Sequence, residues 1–348
     1  MPARAEGGRP HRITLLPGDG IGPEVVDATL RVVEATGVPI AWERFDEIGE
    51  SALRAHGTPL PGEVIESIQR NGIALKGPVT TPVGKGFKSI NVQLRQKLDL
   101  YANVRPARTL AGVPSRFRDV DLVVIRENTE GLYSGMETYD ERLEIADATA
   151  RLTREGCERI VRYCFEYARA NAYGRVTLVH KANILKVTSG MFLRLGEAIA
   201  SEYPDIKFDD RIIDNMCMQL VTVPERYECI VTTNLFGDIL SDLAAGLVGG
   251  LGVVAGANVG DHTAVFEAVH GSAPDIAGTN VANPTALIRS AEMMLRHLDE
   301  KAAADAIARA LEDTFATPEC LTKDLGGNCS TSRFADAVAA RVSEHALA

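Results

Sequence analysis

The chain has 348 residues, 45% hydrophobic and 24% charged, a composition that suits a globular protein and a length beyond one compact core, so two domains are expected. Its 37 Lys and Arg against 47 Asp and Glu give a formal charge of −10, which argues against a nucleic-acid partner and makes any local group of arginines stand out as a seat for an anion. No apolar run approaches the roughly 20 residues of a membrane span, so a soluble, cytoplasmic protein with no membrane partner is expected.

Residues 1–12 carry Arg4, Arg9 and Arg12 without an apolar stretch. They read as a solvated leader or the remnant of an organelle-targeting segment, not a secretory signal. A short β-like run at 12–17 precedes an amphipathic helix at 21–35, and between them lies Gly18-Asp19-Gly20-Ile21-Gly22-Pro23. This is G-x-G-x-G-P, not the G-x-G-x-x-G of a dinucleotide loop, and Pro23 reads as the first residue of the helix. Strand-like runs follow at 38–45, 72–76, 121–126, 175–180, 208–214 and 229–233, with helical patterns at 61–70, 153–171 and 187–203. Strand followed by helix, repeated, predicts an α/β fold with much parallel sheet. The last hundred residues read as mainly helical, at 284–297, 300–314 and 333–346. The glycine-dense stretch 246–260 is too apolar for a free linker and reads as a packed crossover between domains. Cys157, Cys164, Cys217, Cys229, Cys320 and Cys329 are irregularly spaced with no C-x-x-C pair, which predicts reduced thiols and not a zinc site or a disulfide framework.

Four groups of residues could carry chemistry. Ser89 is a good N-cap for a helix presenting Asn91 and Arg95, so this segment is either a capped helix alone or the seat of a carboxylate. Arg105 and Arg126 shift the balance toward the second. Arg126 ends the buried run 121–126, and strand carboxyl ends are where ligands sit in open α/β sheets. Three converging arginines would suit a substrate with two or three carboxylates, whereas each alone reads as a surface ion pair. Asp238 and Asp242 stand on one helical face among Leu235, Phe236, Ile239, Leu240 and Leu243. With Asp214 at the end of the strand 208–214, they read as oxygen ligands for a hard divalent cation, against a solvated acidic face. Lys181, in His180-Lys181-Ala182-Asn183, and Tyr133 are candidate proton-transfer groups. Finally, His270-Gly271-Ser272-Ala273-Pro274-Asp275-Ile276-Ala277-Gly278, with Asn283 beyond it, is either a tight surface loop or a loop whose backbone approaches a ligand. There Asp275 would accept from a ribose diol and repel a 2′-phosphate.

Together the motifs GDGIGPE (18–24), DLYANVRP (99–106), RENTEGLYSG (126–135), HKAN (180–183) and TTNLFGDILSDLAAGLVGGLG (232–252) resemble those of the β-decarboxylating dehydrogenases, over about residues 13–342. That family comprises the isocitrate, homoisocitrate and 3-isopropylmalate enzymes. The resemblance implies a two-domain α/β fold with a large mixed sheet, flanking helices and no GxGxxG Rossmann loop. It places 1–101 plus 251–348 in a large, cofactor-binding domain and 102–250 in a small inserted domain for dimerisation and metal binding, with the active site in the cleft. It implies that Ser89, Asn91, Arg95, Arg105, Arg126 and Asn183 bind the substrate. Asp238 and Asp242, with Asp214 of a neighbouring subunit, would hold Mg²⁺ or Mn²⁺. Lys181, also from the neighbour, would serve a proton relay, and Tyr133 would act as acid. Thr81, Glu267, His270, Gly271, Ser272, Ala273, Asp275, Ile276 and Asn283 would line the NAD site.

Within the family, S-x-N-x-x-x-R marks isocitrate enzymes, and Ser89, Asn91 and Arg95 satisfy it. NADP-dependent members tend to carry Lys and Tyr where this chain has Asp275 and Ile276. The expected activity is NAD-dependent oxidative decarboxylation of isocitrate to 2-oxoglutarate and CO₂, a tricarboxylic acid cycle step. A homodimer or higher homo-oligomer sharing active sites across its interface is expected. Homoisocitrate and, behind it, 3-isopropylmalate are the rival substrates. A non-catalytic regulatory subunit would have lost some of these residues, and all are retained.

Overall fold

The structure, a computed structural model, describes residues 9–81 and 86–346; the first eight residues of the leader lie outside them. The chain runs through β1 (His11–Leu16), α1 (Gly22–Ala35), β2 (Ile40–Arg44), α2 (Glu50–His56), α3 (Gly62–Asn71), β3 (Ile73–Lys76), α4 (Ile90–Lys97), β4 (Ala102–Arg108) and β5 (Asp121–Glu127). A hairpin of β6 (Glu137–Asp140) and β7 (Ile145–Ala148) follows. Then come α5 (Arg154–Ala170), β8 (Arg175–His180), α6 (Thr188–Ala200), β9 (Lys207–Ile212), α7 (Ile213–Leu220), β10 (Cys229–Thr232) and α8 (Asn234–Leu247). Last are β11 (Ala255–Val259), β12 (Ala264–Ala268), α9 (Thr285–His297), α10 (Lys301–Phe315) and α11 (Thr331–Ala346).

Ten strands form one mixed sheet in the order β2-β1-β3-β12-β11-β4-β5-β10-β8-β9, flanked by helices. β11 is antiparallel to β12 and to β4, and β4 to β5; the other neighbours are parallel. Strands from before residue 102 and after 250 fill one half of the sheet, and those from 102–250 fill the other. The halves meet where β11 pairs with β4, Asn258 opposite Asn103.

The central strand β5 shows why the sheet is buried. Val123 and Ile125 join one hydrophobic cluster, with Phe165, Phe192 and Phe266, while Leu122 and Val124 join another, with Leu240, Phe315 and Phe334. Alternate side chains point to opposite faces, so each face of β5 has its own core. The longest helix of the second half, α5, starts where Thr153 accepts the Gly156 N–H at 3.0 Å. It buries Cys157, Ile160, Val161, Cys164, Phe165 and Ala168, one stripe at helical spacing.

The α/β alternation and the absence of a GxGxxG loop hold. The glycines at 18 and 20 serve another purpose. Gly20 has φ +59°, and a Cβ there would lie 2.0 Å from the Ser272 carbonyl oxygen. The loop is thus wedged against the 270s loop, with the Ile21 N–H donating to that same carbonyl at 2.9 Å. Four expectations need correction. The stretch 246–260 is not only a crossover: it ends in strand β11, whose Ala, Gly and Asn residues carry no strand propensity. The C-terminal hundred residues also hold β12. Pro23 is the second residue of α1, since the helix begins at Gly22. Asp214 is not on a strand; β9 stops at Ile212, and Asp214 sits in the first turn of α7. Among the described residues no helix is long and apolar enough to cross a membrane.

Candidate active site

The site is built around Arg126, which is 1% exposed near the carboxyl end of β5. Its neighbour β10 leads directly into α8, which lays Asn234, Asp238 and Asp242 along one face at intervals of four. Arg126 Nε and Nη2 donate to Asn234 Oδ1 at 3.0 and 2.7 Å, and Nη1 pairs with Asp238 Oδ1. Gly237 permits this approach: a Cβ there would meet Arg126 Cγ at 2.5 Å. Arg105 reaches the same helix from β4. Its Nη1 donates to Ser241 Oγ at 2.8 Å and to Asp242 Oδ1 at 3.3 Å, and lies 3.8 Å from Asp238 Oδ1.

Electrostatics follow from this crowding. Burial, then the like charge of Arg95, push the Arg126 guanidinium down to about 10, so it remains charged at neutral pH. Asp238 is raised by burial but pulled further down by Arg126, the Tyr133 hydroxyl and Arg105. Asp242, less well paired, is held above the ordinary carboxylate value by burial, against the pull of Arg105. Tyr133 stands on a short 3₁₀ turn, donates its hydroxyl proton to Asp238 Oδ2, and lies with its ring 5.0 Å from the Arg126 guanidinium carbon. Burial and the Asp238 carboxylate raise its pKa, so it is a protonated donor at neutral pH.

A second buried group adjoins the first. Glu267 of β12 meets Lys76 Nζ at 2.7 Å and Arg95 Nη2 at 3.4 Å, and accepts from Asn258 Nδ2 at 2.7 Å. Asn258 Oδ1 in turn accepts from Asn103 at 2.7 Å and from Asn128 at 2.9 Å. A cavity of about 360 Å³ opens beside this group, lined by Lys76, Thr80, Thr81, Asn91, Arg95, Arg105 and residues 267–272. Asn91 Oδ1, Arg95 Nε and Arg105 Nε are buried without a hydrogen-bond partner among the described residues. Unmet polar atoms of both signs around an open cavity suit a polar ligand. Ser89 precedes α4 as its cap residue but makes no capping bond; its Oγ faces Thr81 Oγ1 at 3.2 Å.

Next to it lies a larger cavity of about 570 Å³, lined by Ile21, Gly252, His270, Gly271, Ala273, Ile276, residues 281–283, Lys323 and Asp324. His270 and Gly271 belong to both cavities. His270 Nδ1–H donates to the Gly271 carbonyl at 3.0 Å, which leaves Nε2 as a buried acceptor with no partner among the described residues. Burial holds this ring neutral. Asn283 Nδ2 donates to Asp324 Oδ2 at 2.9 Å, and its Oδ1 accepts the Thr285 N–H at 3.0 Å. Asp275 is exposed on the rim and not among the lining residues.

Lys181, Asn183 and Asp214 stand apart from Asp238 and Asp242. Lys181 Nζ pairs with Asp214 Oδ1, and that bond lowers the Asp214 pKa. His180 Nδ1 accepts the Ala182 N–H at 2.9 Å, and Nε2 meets Asp210 at 2.9 Å, which fixes the turn that carries Lys181. Asn183 is exposed. Among the described residues, no three metal-ligating side chains lie together.

Comparison with known proteins decides the family. The profile described as isocitrate/isopropylmalate dehydrogenase matches residues 12–338. The chain belongs to that family. It is 46% identical over 337 residues to a Drosophila melanogaster protein named probable isocitrate dehydrogenase (NAD) subunit alpha, mitochondrial, covering 95% of this chain and 87% of that one. It is 48% identical over 332 residues to the Thermus thermophilus isocitrate dehydrogenase (NADP), covering 94% of this chain and 66% of that one. The crystal structure of isocitrate dehydrogenase from Methylococcus capsulatus superposes with a TM-score of 0.93 at 55% identity, over 96% of this chain and 99% of that one.

Several residues of this cluster were not singled out from sequence. Asn234 and Ser241 hold the arginines, and both lie on the Asp238 face of α8, so the spacing of four that revealed the aspartates also points to Asn234. Lys76 and Asn258 gave no local signal, because their partner Glu267 is 191 and 9 residues away and the group closes only across the sheet.

Proposed function

We propose that the chain catalyses NAD-dependent oxidative decarboxylation of isocitrate to 2-oxoglutarate and CO₂. The observation that carries this reading is the meeting of Arg95, Arg105 and Arg126 with Asp238, Asp242 and Tyr133 beside the 360 Å³ cavity. Arginine matches carboxylates with paired N–H groups, and a tricarboxylate has one for each arginine. Ser89 and the unpartnered Asn91 amide add neutral contacts to one of them. The carboxylates of Asp238 and Asp242 are hard oxygen donors, now shared with Arg105. They suit Mg²⁺ or Mn²⁺, with Asp214 of the partner subunit as a further donor. Bound there, the cation would supply Lewis-acid polarisation of the substrate hydroxyl. NAD would accept the C2 hydride from the adjoining 570 Å³ cavity, where His270 offers its free Nε2. Thr81, Glu267, Gly271, Ser272, Ala273, Ile276 and Asn283 would shape that side, and Asp275 would take the ribose diol from the rim.

The protein's own groups handle the protons. Lys181 of the partner subunit relays the hydroxyl proton as hydride leaves C2, and Asn183 of the partner subunit steadies the substrate. The 2-oxo acid then carries a carboxylate β to its ketone. Loss of CO₂ leaves an electron pair on carbon, and Tyr133, kept protonated by burial and Asp238, returns a proton there.

On this reading 1–101 plus 251–348 form the cofactor domain and 102–250 the inserted one. The exposed apolar side chains of Ile184, Val187, Met218 and Ile239 support a homodimer that brings Lys181 and Asp214 to a second site. The cytoplasm is the proposed compartment, given the 48% identity to the Thermus thermophilus relative. One observation favours NADP instead: Lys323 lines the larger cavity, where it could meet a 2′-phosphate.

Steady-state kinetics with isocitrate, homoisocitrate and 3-isopropylmalate, each with NAD and NADP, test the reading. The highest kcat/KM should fall to isocitrate with NAD, and a chelator should abolish it until Mg²⁺ or Mn²⁺ is restored. Preference for homoisocitrate would overturn the substrate, and preference for NADP the cofactor.

A further inference from the structure

At the free edge of the sheet, away from the cleft, the structure assigns a second anion site, for a compact oligophosphate. Residues two apart on a strand share a face. Arg175 of β8 and Lys207, Asp209 and Arg211 of β9 therefore stand side by side, in a register that pairs Arg175 with Lys207 and Val179 with Arg211. The turn before β10 adds Arg226 and the buried ring of Tyr227, whose hydroxyl donates to Gln219 of α7. These residues enclose a cavity of about 270 Å³.

Four cations there face one carboxylate, and that carboxylate is fully engaged. Asp209 Oδ1 accepts from Thr177 Oγ1 at 2.7 Å, and Oδ2 is shared by Arg175 at 2.7 Å and Arg211 at 3.3 Å. Nearby acids are committed elsewhere. Glu228 accepts the Gly174 and Arg175 N–H groups at 2.6 and 3.1 Å, and Asp210 points to the other face of β9 and meets His180. Lys207 and Arg226 make no ion pair with any described residue. In a chain of net charge −10, this is a local excess of positive charge.

The size of the cavity falls below the roughly 300–1,000 Å³ of pockets for drug-sized ligands, which fits a small, highly charged occupant. Asp209 holds the guanidinium planes of Arg175 and Arg211 in place, and their remaining N–H groups can grip phosphate oxygens in pairs. Lys207 and Arg226, both exposed at the rim, add point charge for a second, linked phosphate. Arg175 and Lys207 open the two strands whose far ends lead to Lys181 and Asp214, so the site is separate from the proposed catalytic groups.

Isothermal titration with inorganic pyrophosphate, in metal-free buffer at low salt, tests the assignment on the full chain. Wild type and an Arg105→Met variant of the cleft should bind one pyrophosphate equally. The double variant Lys207→Glu/Arg226→Glu should bind at least about tenfold more weakly, the loss of about one charge-assisted contact, with isocitrate turnover unchanged. Lys207→Gln/Arg226→Gln, which removes charge without reversing it, decides the matter if the Glu variant fails to fold. No heat from wild type, undiminished binding by the double variants, or loss of binding in Arg105→Met would each overturn the site.

Discussion

Glu267→Gln removes a carboxylate that the buried cations Lys76 and Arg95 share. Glu267 is 5% exposed, with Lys76 at 2.7 Å, Arg95 at 3.4 Å and the Asn258 amide at 2.7 Å. Burial alone would raise its pKa; the charges of Lys76 and Arg95 and the bonds from Lys76 and Asn258 overcome this and bring it from 4.5 to about 2. At roughly 1.4 kcal/mol per pH unit, that difference corresponds to about 3 kcal/mol. The figure agrees with the roughly 3–5 kcal/mol lost when one partner of a buried pair is removed. A folded-state pKa below the unfolded one means that the stabilisation is fully present above about pH 4.5 and is lost as pH falls toward about 2. Urea unfolding followed by circular dichroism, with both proteins at the same concentration, reads both effects. The variant should be about 3 kcal/mol less stable near neutral pH, and the gap should narrow by about 1.4 kcal/mol for each pH unit below about 4.5. A gap under about 1 kcal/mol near neutrality, or one that stays constant into acid, would refute the reasoning.

Two further substitutions probe other parts of the site. Tyr133→Phe keeps the ring over Arg126 but removes the proton donor to Asp238; kcat should fall by about 10²-fold or more with little change in KM, and unchanged turnover would remove Tyr133 from the proton transfer. Gly20→Ala would place a methyl group 2.0 Å from the Ser272 carbonyl at φ +59°; thermal melting should fall by several degrees, about 1–3 kcal/mol, and KM for the cofactor should rise because the 270s loop must shift, both measurable on the purified variant.

What the sequence revealed depended on how local each signal was. Arg126 was legible because a charged residue at the end of the run DLVVI has no packing reason to be there. Asp238 and Asp242 were legible because like charges at helical spacing among apolar residues need a cation, and Arg105 now stands between them. The strand β11 was not legible: in Ala-Gly-Ala-Asn-Val only the last residue is β-branched and nothing alternates, so its position between β12 and β4 is what makes it a strand. Asp214 was misplaced by one turn because no capping side chain or proline marks where β9 gives way to α7. The hairpin of β6 and β7 went unread since every one of its residues is exposed, which leaves no inward face to set a pattern. The Glu267 group closes across four strands, and no window of sequence contains it.

The row of buried amides where the two halves of the sheet meet acts as a registration mark. Apolar neighbours such as Ala257 and Val104 would tolerate a slip of two residues along the strands. Asn258 would not, for it bonds Asn103, Asn128 and Glu267 at once, and any slip would orphan all three in the interior. Asn103 is also the residue opposite Arg126. The rung that carries Arg126 is thereby tied, bond by bond, to the rung that carries Glu267 and Lys76. Any movement of one half against the other must turn about this line and cannot slide along it. The spacing between the Arg126 side of the site and its Glu267 side is thus counted out in whole residues.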